Sequence, residues 1–271
     1  PQNISAWSDM AISFDSLGRY DDALRCYDKA LEYDPENVAV WNNKGASLHS
    51  LGREEEAISC YDRSLELDPD GASAWNNKAS SLNRLGRYGK ALCCLEKALV
   101  IDSVYAGAWN NKGSSLFGLG RYQEAIDCYD KAIELDPLDA AAWYNEGNAH
   151  FKLGRHEEAI GCYDKVIELE PRSAGAWNNK GLGLDSLDRR AEAIDCYDRA
   201  LELNPKLTAA WRNKGFDLYN LGRYEEAVVC QEKALELDPK LVAAWYGAGT
   251  ALFRLGRHEG AGAAPGDQAI A

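Results

Sequence analysis

Apolar and polar positions in this chain follow a helical register that restarts at a fixed interval. Numbering the segment from residue 38 so that Trp41 is position 4, the positions 4, 7, 8, 11 and 14 share one side of a helix turning about 100° per residue, and they carry Trp, Gly and Leu. Positions 2, 5, 6, 9, 12 and 13 share the other side. The register returns at every tryptophan of the chain: Trp7, Trp41, Trp75, Trp109, Trp143, Trp177, Trp211 and Trp245 stand 34 residues apart. A period of that size means one supersecondary unit stacked along an axis, each copy too small to bury its apolar face alone. Within the period the same grammar recurs, as in Trp41-Asn42-Asn43-Lys44-Gly45, Leu51-Gly52-Arg53, Ala57, Cys60-Tyr61-Asp62-Arg63 and Leu67-Asp68-Pro69. Two helices of about 14 residues fit it. Gly at 18, 52, 86, 120, 154, 222 and 256 sits where the first helix needs a left-handed cap. Acidic pairs such as Glu157-Glu158 suit the positive start of the second, and Pro at 35, 69, 137, 171, 205 and 239 stops it. The short Leu-Gly-Arg joint predicts an antiparallel hairpin.

Trp early in helix A, Gly four residues later, Gly between the helices, Ala early in helix B, an aromatic four beyond it and a closing Pro resemble the tetratricopeptide repeat (TPR). The resemblance covers residues 4 to about 258. It implies an all-α fold, an α-solenoid in which antiparallel helix pairs wind into a right-handed superhelix, forming one domain over residues 1–271. Repeats begin near 4, 38, 72, 106, 140, 174, 208 and 242, and residues 259–271 form a degenerate tail. One departure is Lys at position 7 (Lys44, Lys78, Lys112, Lys180, Lys214) where the family pattern has Leu. Its stem is expected to lie on apolar surface with the ammonium in water.

In a TPR superhelix the side bearing positions 2, 5, 6, 9, 12 and 13 lines the inner groove. Position 6 is Asn in six consecutive repeats, Asn43, Asn77, Asn111, Asn145, Asn179 and Asn213. Asn costs up to about 0.7 kcal/mol against Ala in a helix, so a row of them calls for a compensating role. A row of amides offers donors and acceptors to the main chain of an extended peptide, and similar asparagine ladders occur in peptide-binding superhelical TPR domains, including the one preceding a protein glycosyltransferase. The alternative is that each Asn bonds only to neighbouring repeats or water, or that duplication alone repeats it. Other groove positions are small or polar early in the chain. From the fourth repeat they bring Phe117, Tyr144, Phe151, Phe216, Tyr219, Tyr246 and Phe253, and the basic Arg84, Lys152, Arg212 and Arg254 stand against Asp9, Asp15 and Asp185. These residues predict a protein or peptide ligand with apolar or aromatic residues and some acid. The clamp for the C-terminal carboxylate of chaperones resembles nothing here, because position 2 is only Ser, Ala or Gly.

Composition narrows the function further. The 271 residues are 46% hydrophobic, carry a net charge of −13 and hold no apolar run long enough to span a bilayer. No signal sequence opens the chain, and the acidic balance would repel nucleic acid; membrane and nucleic acid are therefore not expected partners. Seven of the eight cysteines occupy one register of helix B, too far apart along the stack for disulfides, which predicts small thiols in a reducing cytoplasm. No zinc spacing, phosphate loop or Ser/His/Asp set is seen, and His49, His150, His156 and His258 are expected to be structural, so no enzyme, cofactor or metal is predicted. Gly260, Gly262, Pro265 and Gly266 crowd the second helix of the eighth repeat. An uncapped flank there offers a second hypothesis, a structural module that self-associates end to end or links parts of a larger protein.

Overall fold

The computed structural model describes residues 4–256 and contains only helices joined by short loops among them. In chain order these are α1 (Ile4–Ser16), α2 (Tyr20–Tyr33), α3 (Val38–Ser50), α4 (Glu54–Leu67), α5 (Ala72–Arg84), α6 (Tyr88–Ile101), α7 (Ala106–Gly118), α8 (Tyr122–Leu135), α9 (Ala140–Lys152), α10 (His156–Leu169), α11 (Ala174–Ser186), α12 (Arg190–Leu203), α13 (Thr208–Asn220), α14 (Tyr224–Leu237) and α15 (Val242–Arg254). The odd-numbered helices are the A helices of the repeats, the even-numbered ones the B helices. The fold is all-α, an α-solenoid of consecutive helix pairs, and the chain divides into two compact units, Pro1–Ala142 and Trp143–Ala271. The expected loss of the last B helix, and end-to-end association through it, fall on residues outside those described, as does His258.

Each loop has a local cause. The predicted cap glycines, Gly18, Gly52, Gly86, Gly120, Gly154, Gly222 and Gly256, all have φ between 69° and 77°, and Asp188 takes the same left-handed place in the sixth repeat with φ 64°. Asp is among the few side chains that tolerate that conformation. The Arg that follows pairs with the acid three residues on, as Arg53 Nε does with Glu56 at 2.7 Å and Arg121 Nε with Glu124 at 2.7 Å. At the far end of the B helix the residue before Pro leaves the helix for an extended conformation, as with Asp68 at φ −137° and ψ 93°, which a following Pro favours. The same residue also folds back on the chain: Oδ1 of Asp68 accepts from the N–H of Asp70 at 3.1 Å, and Oδ1 of Asp102 from that of Val104 at 3.1 Å, so the turn persists where Ser103 replaces Pro.

The two helices of a pair meet at position 8. A Cβ added to Gly45 or Gly181 would lie 2.5 Å from Cε1 of Tyr61 or Tyr197, rings that are buried to 1% exposure. The third repeat makes the reciprocal exchange, with Ala79 at position 8 and Leu95 where the ring would be, both fully buried. In the first repeat Ala11 shares a cluster with Tyr27. Around this contact each repeat builds a local core, exemplified by Ala91, Cys94, Leu95 and Ala98 packed against Trp75 and Trp109.

Repeats are then tied to each other by the tryptophans. The indole N–H of Trp41, Trp75, Trp211 and Trp245 donates at 2.9 Å to the carbonyl of Pro35, Pro69, Pro205 and Pro239 respectively, and Trp109 to that of Ser103 at 3.0 Å. The position-7 lysines also have partners. Lys44 reaches Asp28 of the preceding repeat at 2.6 Å and Lys180 reaches Asp164 at 2.6 Å; Lys78 and Lys214 meet Asp62 and Asp198 likewise. Lys44 also lies over the Trp41 ring, 5.3 Å from its centroid.

Gly45→Ala should therefore destabilise the protein by about 1–3 kcal/mol through overpacking against Tyr61. Adding Tyr61→Leu, which recreates the Ala79/Leu95 combination, should recover a large part of that loss. Denaturant titration of the two single variants and the double variant measures it, and strictly additive losses would contradict the steric argument.

Candidate peptide-binding face

The A helices of the first unit present positions 5, 6, 9, 12 and 13 together, and hydrogen bonds step across that face from repeat to repeat. Asn77 Nδ2 donates to Asn42 Oδ1 at 3.2 Å and Asn111 Nδ2 to Asn76 Oδ1 at 2.8 Å. Position 6 thus grips position 5 of the repeat before it. A second row joins position 12 to position 10 of the next repeat: Ser47 Oγ donates to Asp15 at 2.7 Å, His49 Nδ1 bonds Ser81 Oγ at 2.9 Å, and Ser115 Oγ donates to Asn83 Oδ1 at 2.7 Å. Arg84 is drawn into this row, donating to the His49 carbonyl at 2.7 Å and pairing with the buried Glu54 at 2.9 Å. The Oδ1 atoms of Asn77 and Asn111 face no protein donor among the described residues. Asn43 is half-buried on α3, and Phe117 on α7 stands edge-on to Tyr122 at 5.2 Å.

In the second unit the ladder continues with a change of partner. Asn179 Nδ2 donates to the Tyr144 hydroxyl at 2.9 Å and to Asn148 Oδ1 at 3.1 Å, and Asn213 Nδ2 to Asn178 Oδ1 at 3.1 Å. Arg212 NH2 donates to Asn213 Oδ1 at 2.8 Å, which fixes the guanidinium beside the ladder. Asn145 is half-buried on α9. Four of the aromatic residues rest on neighbours: Tyr144 on Tyr163 (5.9 Å), Phe151 on His156 (5.1 Å), Tyr219 on Tyr224 (5.4 Å), as does Phe117 in the first unit. Phe216 and Tyr246 are 55% and 74% exposed, and Phe253 is 65% exposed. Lys152 and Arg254 are exposed as well, Arg254 Nε lying 3.3 Å from the Tyr219 hydroxyl.

The exposed aromatics gather around a cavity. A space of about 470 Å³ between α11, α13 and α15 is lined by Asp185, Arg212, Phe216, Tyr219, Tyr246 and Thr250 among others. A neighbouring cleft of about 580 Å³ lies between Tyr219, Tyr246, Phe253 and Arg254. The mixture of apolar walls with a few fixed polar groups is the make-up of a ligand site.

One rung beneath this cavity is chemically unlike the rest. Where the first unit pairs Ser with Asp, His or Asn, the rung between the sixth and seventh repeats pairs Asp185 with Asp217. Asp217 is 1% exposed, and burial first, then Asp185 beside it, push its carboxyl up to about 8, against a smaller opposing pull from Arg190. Burial beside a second carboxylate favours the protonated form of Asp217. Sequence reasoning missed the whole position 10 to position 12 row, although Ser47, Ser81 and Ser115 recurring at one register was the available signal.

The sequence matches a tetratricopeptide repeat family model over residues 8–72 and 110–175, a second over 174–207 and a TPR repeat model over 215–256. A model for anaphase-promoting complex, cyclosome, subunit 3, matches residues 50–132. No curated protein matches the chain in sequence. Among solved structures, YrrB, described as a TPR protein with an unusual peptide-binding site, is 26% identical over 69% of this chain and 97% of its own, with a TM-score of 0.55. MamA is 30% identical over 60% of this chain and 95% of its own, at a TM-score of 0.54. A tetratricopeptide repeat protein from Parabacteroides merdae shares the fold at 18% identity, over 93% of this chain and all of its own, with a TM-score of 0.69.

The Asp185–Asp217 rung makes stability depend on pH. Because the carboxyl is raised in the folded state, its stabilising contribution is complete below about pH 4 and is lost as pH rises to about 8. Asp217→Asn removes the titration, so the variant should gain on the parent by up to about 1.4 kcal/mol per pH unit across that window. Thermal melts of both proteins from pH 4 to 9 test it; a difference that does not change with pH contradicts it.

Proposed function

The chain belongs to the tetratricopeptide repeat family, and we propose that it is a non-catalytic scaffold that holds an extended peptide segment of a protein partner against the A-helix faces of its repeats. The observation that carries this reading is the cavity of about 470 Å³ with Phe216 and Tyr246 exposed at its wall and Arg212 held beside it. Exposed aromatic anchors around a pocket are where binding energy concentrates, and Arg offers a planar fork to a carboxylate. A ligand with a large apolar side chain for the cavity and a nearby acidic residue fits this chemistry. The ladder amides keep acceptor oxygens available at Asn77 and Asn111, suited to main-chain N–H groups of such a segment. YrrB, similar over most of its length, carries a peptide-binding site by its own description. No described helix is long and apolar enough to cross a membrane. The cysteines are free thiols, seven of them buried, and we place the protein in a reducing compartment, the cytoplasm.

Selection from an unbiased peptide library should return ligands rich in aromatic or large apolar residues with acid near them. Phe216→Ala, Tyr246→Ala and Arg212→Ala should each weaken the selected peptide at least about tenfold, the range of an interface anchor. Because Phe216 and Tyr246 are exposed, melting temperatures of those two variants should stay at the parent value. Asn77→Ala and Asn111→Ala should lower both affinity and stability, since each removes a bond between repeats. Peptides that bind the parent and all these variants equally would refute a reader on this face.

A further inference from the structure

Five repeats build the same niche between helices A and B: Lys at position 7, Leu at position 11 and Cys at position 23, as in Lys44, Leu48 and Cys60 or Lys214, Leu218 and Cys230. In these repeats the thiols are buried, and the Lys ammonium is near enough to oppose the upward push of burial on the Cys. The fifth repeat keeps the Cys and exchanges both neighbours, giving Glu146, His150 and Cys162. The exchange replaces a cation and a hydrocarbon side chain with a carboxylate and an imidazole four residues apart on α9, facing a thiol on α10. Their donor atoms lie within 4.8 Å of one another. His150 Nε2 is 3.4 Å from Glu146 Oε1. That is the separation of two ligands on a tetrahedral ion with bonds of about 2.0–2.1 Å. Gly147 permits the approach of α10, since a Cβ there would stand 3.1 Å from that of Cys162. Glu146 and Cys162 are buried, while the His150 side chain keeps 12% of its surface exposed, an opening toward solvent.

We propose that Glu146, His150 and Cys162 form a binding site for a divalent transition metal of the zinc class. Sulfur, nitrogen and oxygen donors in one cluster match zinc's ligand range, and water takes the fourth corner. On binding, the Cys162 thiol gives its proton to solvent and forms the metal–sulfur bond; no electron is transferred. With His150 neutral, the carboxylate and thiolate balance the charge of the ion, so the buried site is electrically neutral. The metal would pin α9 to α10 within the second unit, at the point where the other repeats rely on Leu packing.

Cobalt(II) titration of the chelator-stripped full chain tests the site. One equivalent of Co²⁺ is expected to bind with the visible bands of a tetrahedral ion and a near-ultraviolet thiolate charge-transfer band, both abolished by stoichiometric Zn²⁺. Cys162→Ser, Glu146→Gln and His150→Leu should each weaken binding by at least about 100-fold, taking the loss of one ligand as no milder than loss of its outer-shell support. His150→Leu restores the residue that other repeats carry and is expected to fold, and Cys128→Ser and Cys196→Ser should leave the spectrum unchanged. Absence of the charge-transfer band in the parent, or its persistence in His150→Leu or Cys162→Ser, would overturn the assignment. Zn²⁺ should also raise the melting temperature of the parent and not that of His150→Leu.

Discussion

The close approach of position 8 of helix A to position 24 of helix B, a tyrosine ring in five of the seven described pairs, is the constraint on which the rest is built. Helices with side chains between them pack about 8–10 Å apart. Removing the Cβ at Gly45, Gly113, Gly147 and Gly181 lets a tyrosine ring lie flat against backbone and vanish from solvent. The chain itself shows that glycine is not required in every repeat, since Ala11 shares a buried cluster with an intact ring, Tyr27. Ala79 is accepted where Leu95 replaces the ring, and in the seventh repeat Gln231 fills the space and meets both Gly215 and Gly247. Fixing this distance also fixes where the remaining positions of the A helix point.

The surface that follows from this is held together by polar bonds directed along the stack. Trp to the loop carbonyl, Lys to Asp, Asn to Asn and Ser to position 12 all join one repeat to the next within a unit. None of these partners is close in sequence, with separations of 16 to 35 residues except for the indole bond, which reaches back six. Each such bond adds only on the order of 1 kcal/mol, but repetition turns them into a fixed frame. The position-6 amides have a structural part to play whatever they bind. Their N–H groups knit the repeats, and in the proposed reading the oxygens of Asn77 and Asn111, the exposed rings and the Arg212 guanidinium are the chemistry offered to a ligand.

Much of the fold was legible from the sequence because its signals are local. Helix lengths, left-handed caps and the hairpin joint follow from the register of Trp, Gly and Leu, and Asp188 is the one described cap where Asp stands in for Gly. The Lys at position 7 was not legible, since its Asp partner lies on the previous B helix and its Trp on its own. The site was legible only as a face. Periodicity could put Phe117, Tyr144, Phe151 and Tyr219 on the same helix face as Phe216 and Tyr246, but not say that the first four rest on neighbouring rings while Phe216 and Tyr246 are largely exposed. That distinction depends on rotamers and on packing across repeats, which no single-strand pattern encodes.

The departures from the repeat's own pattern carry information that the pattern does not. An array of near-identical modules can vary one niche at a time, because neighbouring interfaces supply the stability. Two niches of the second unit have changed in a chemically coherent way. Asp217 stands where the first unit has a hydroxyl and is buried beside Asp185, which favours its protonated form, and Glu146 with His150 replaces a Lys and a Leu beside a thiol that every repeat but the eighth retains at that register in helix B. Both exchanges bring ionisable groups into a buried niche of an otherwise repeated frame, and the packing of position 8 against helix B carries that frame through both repeats.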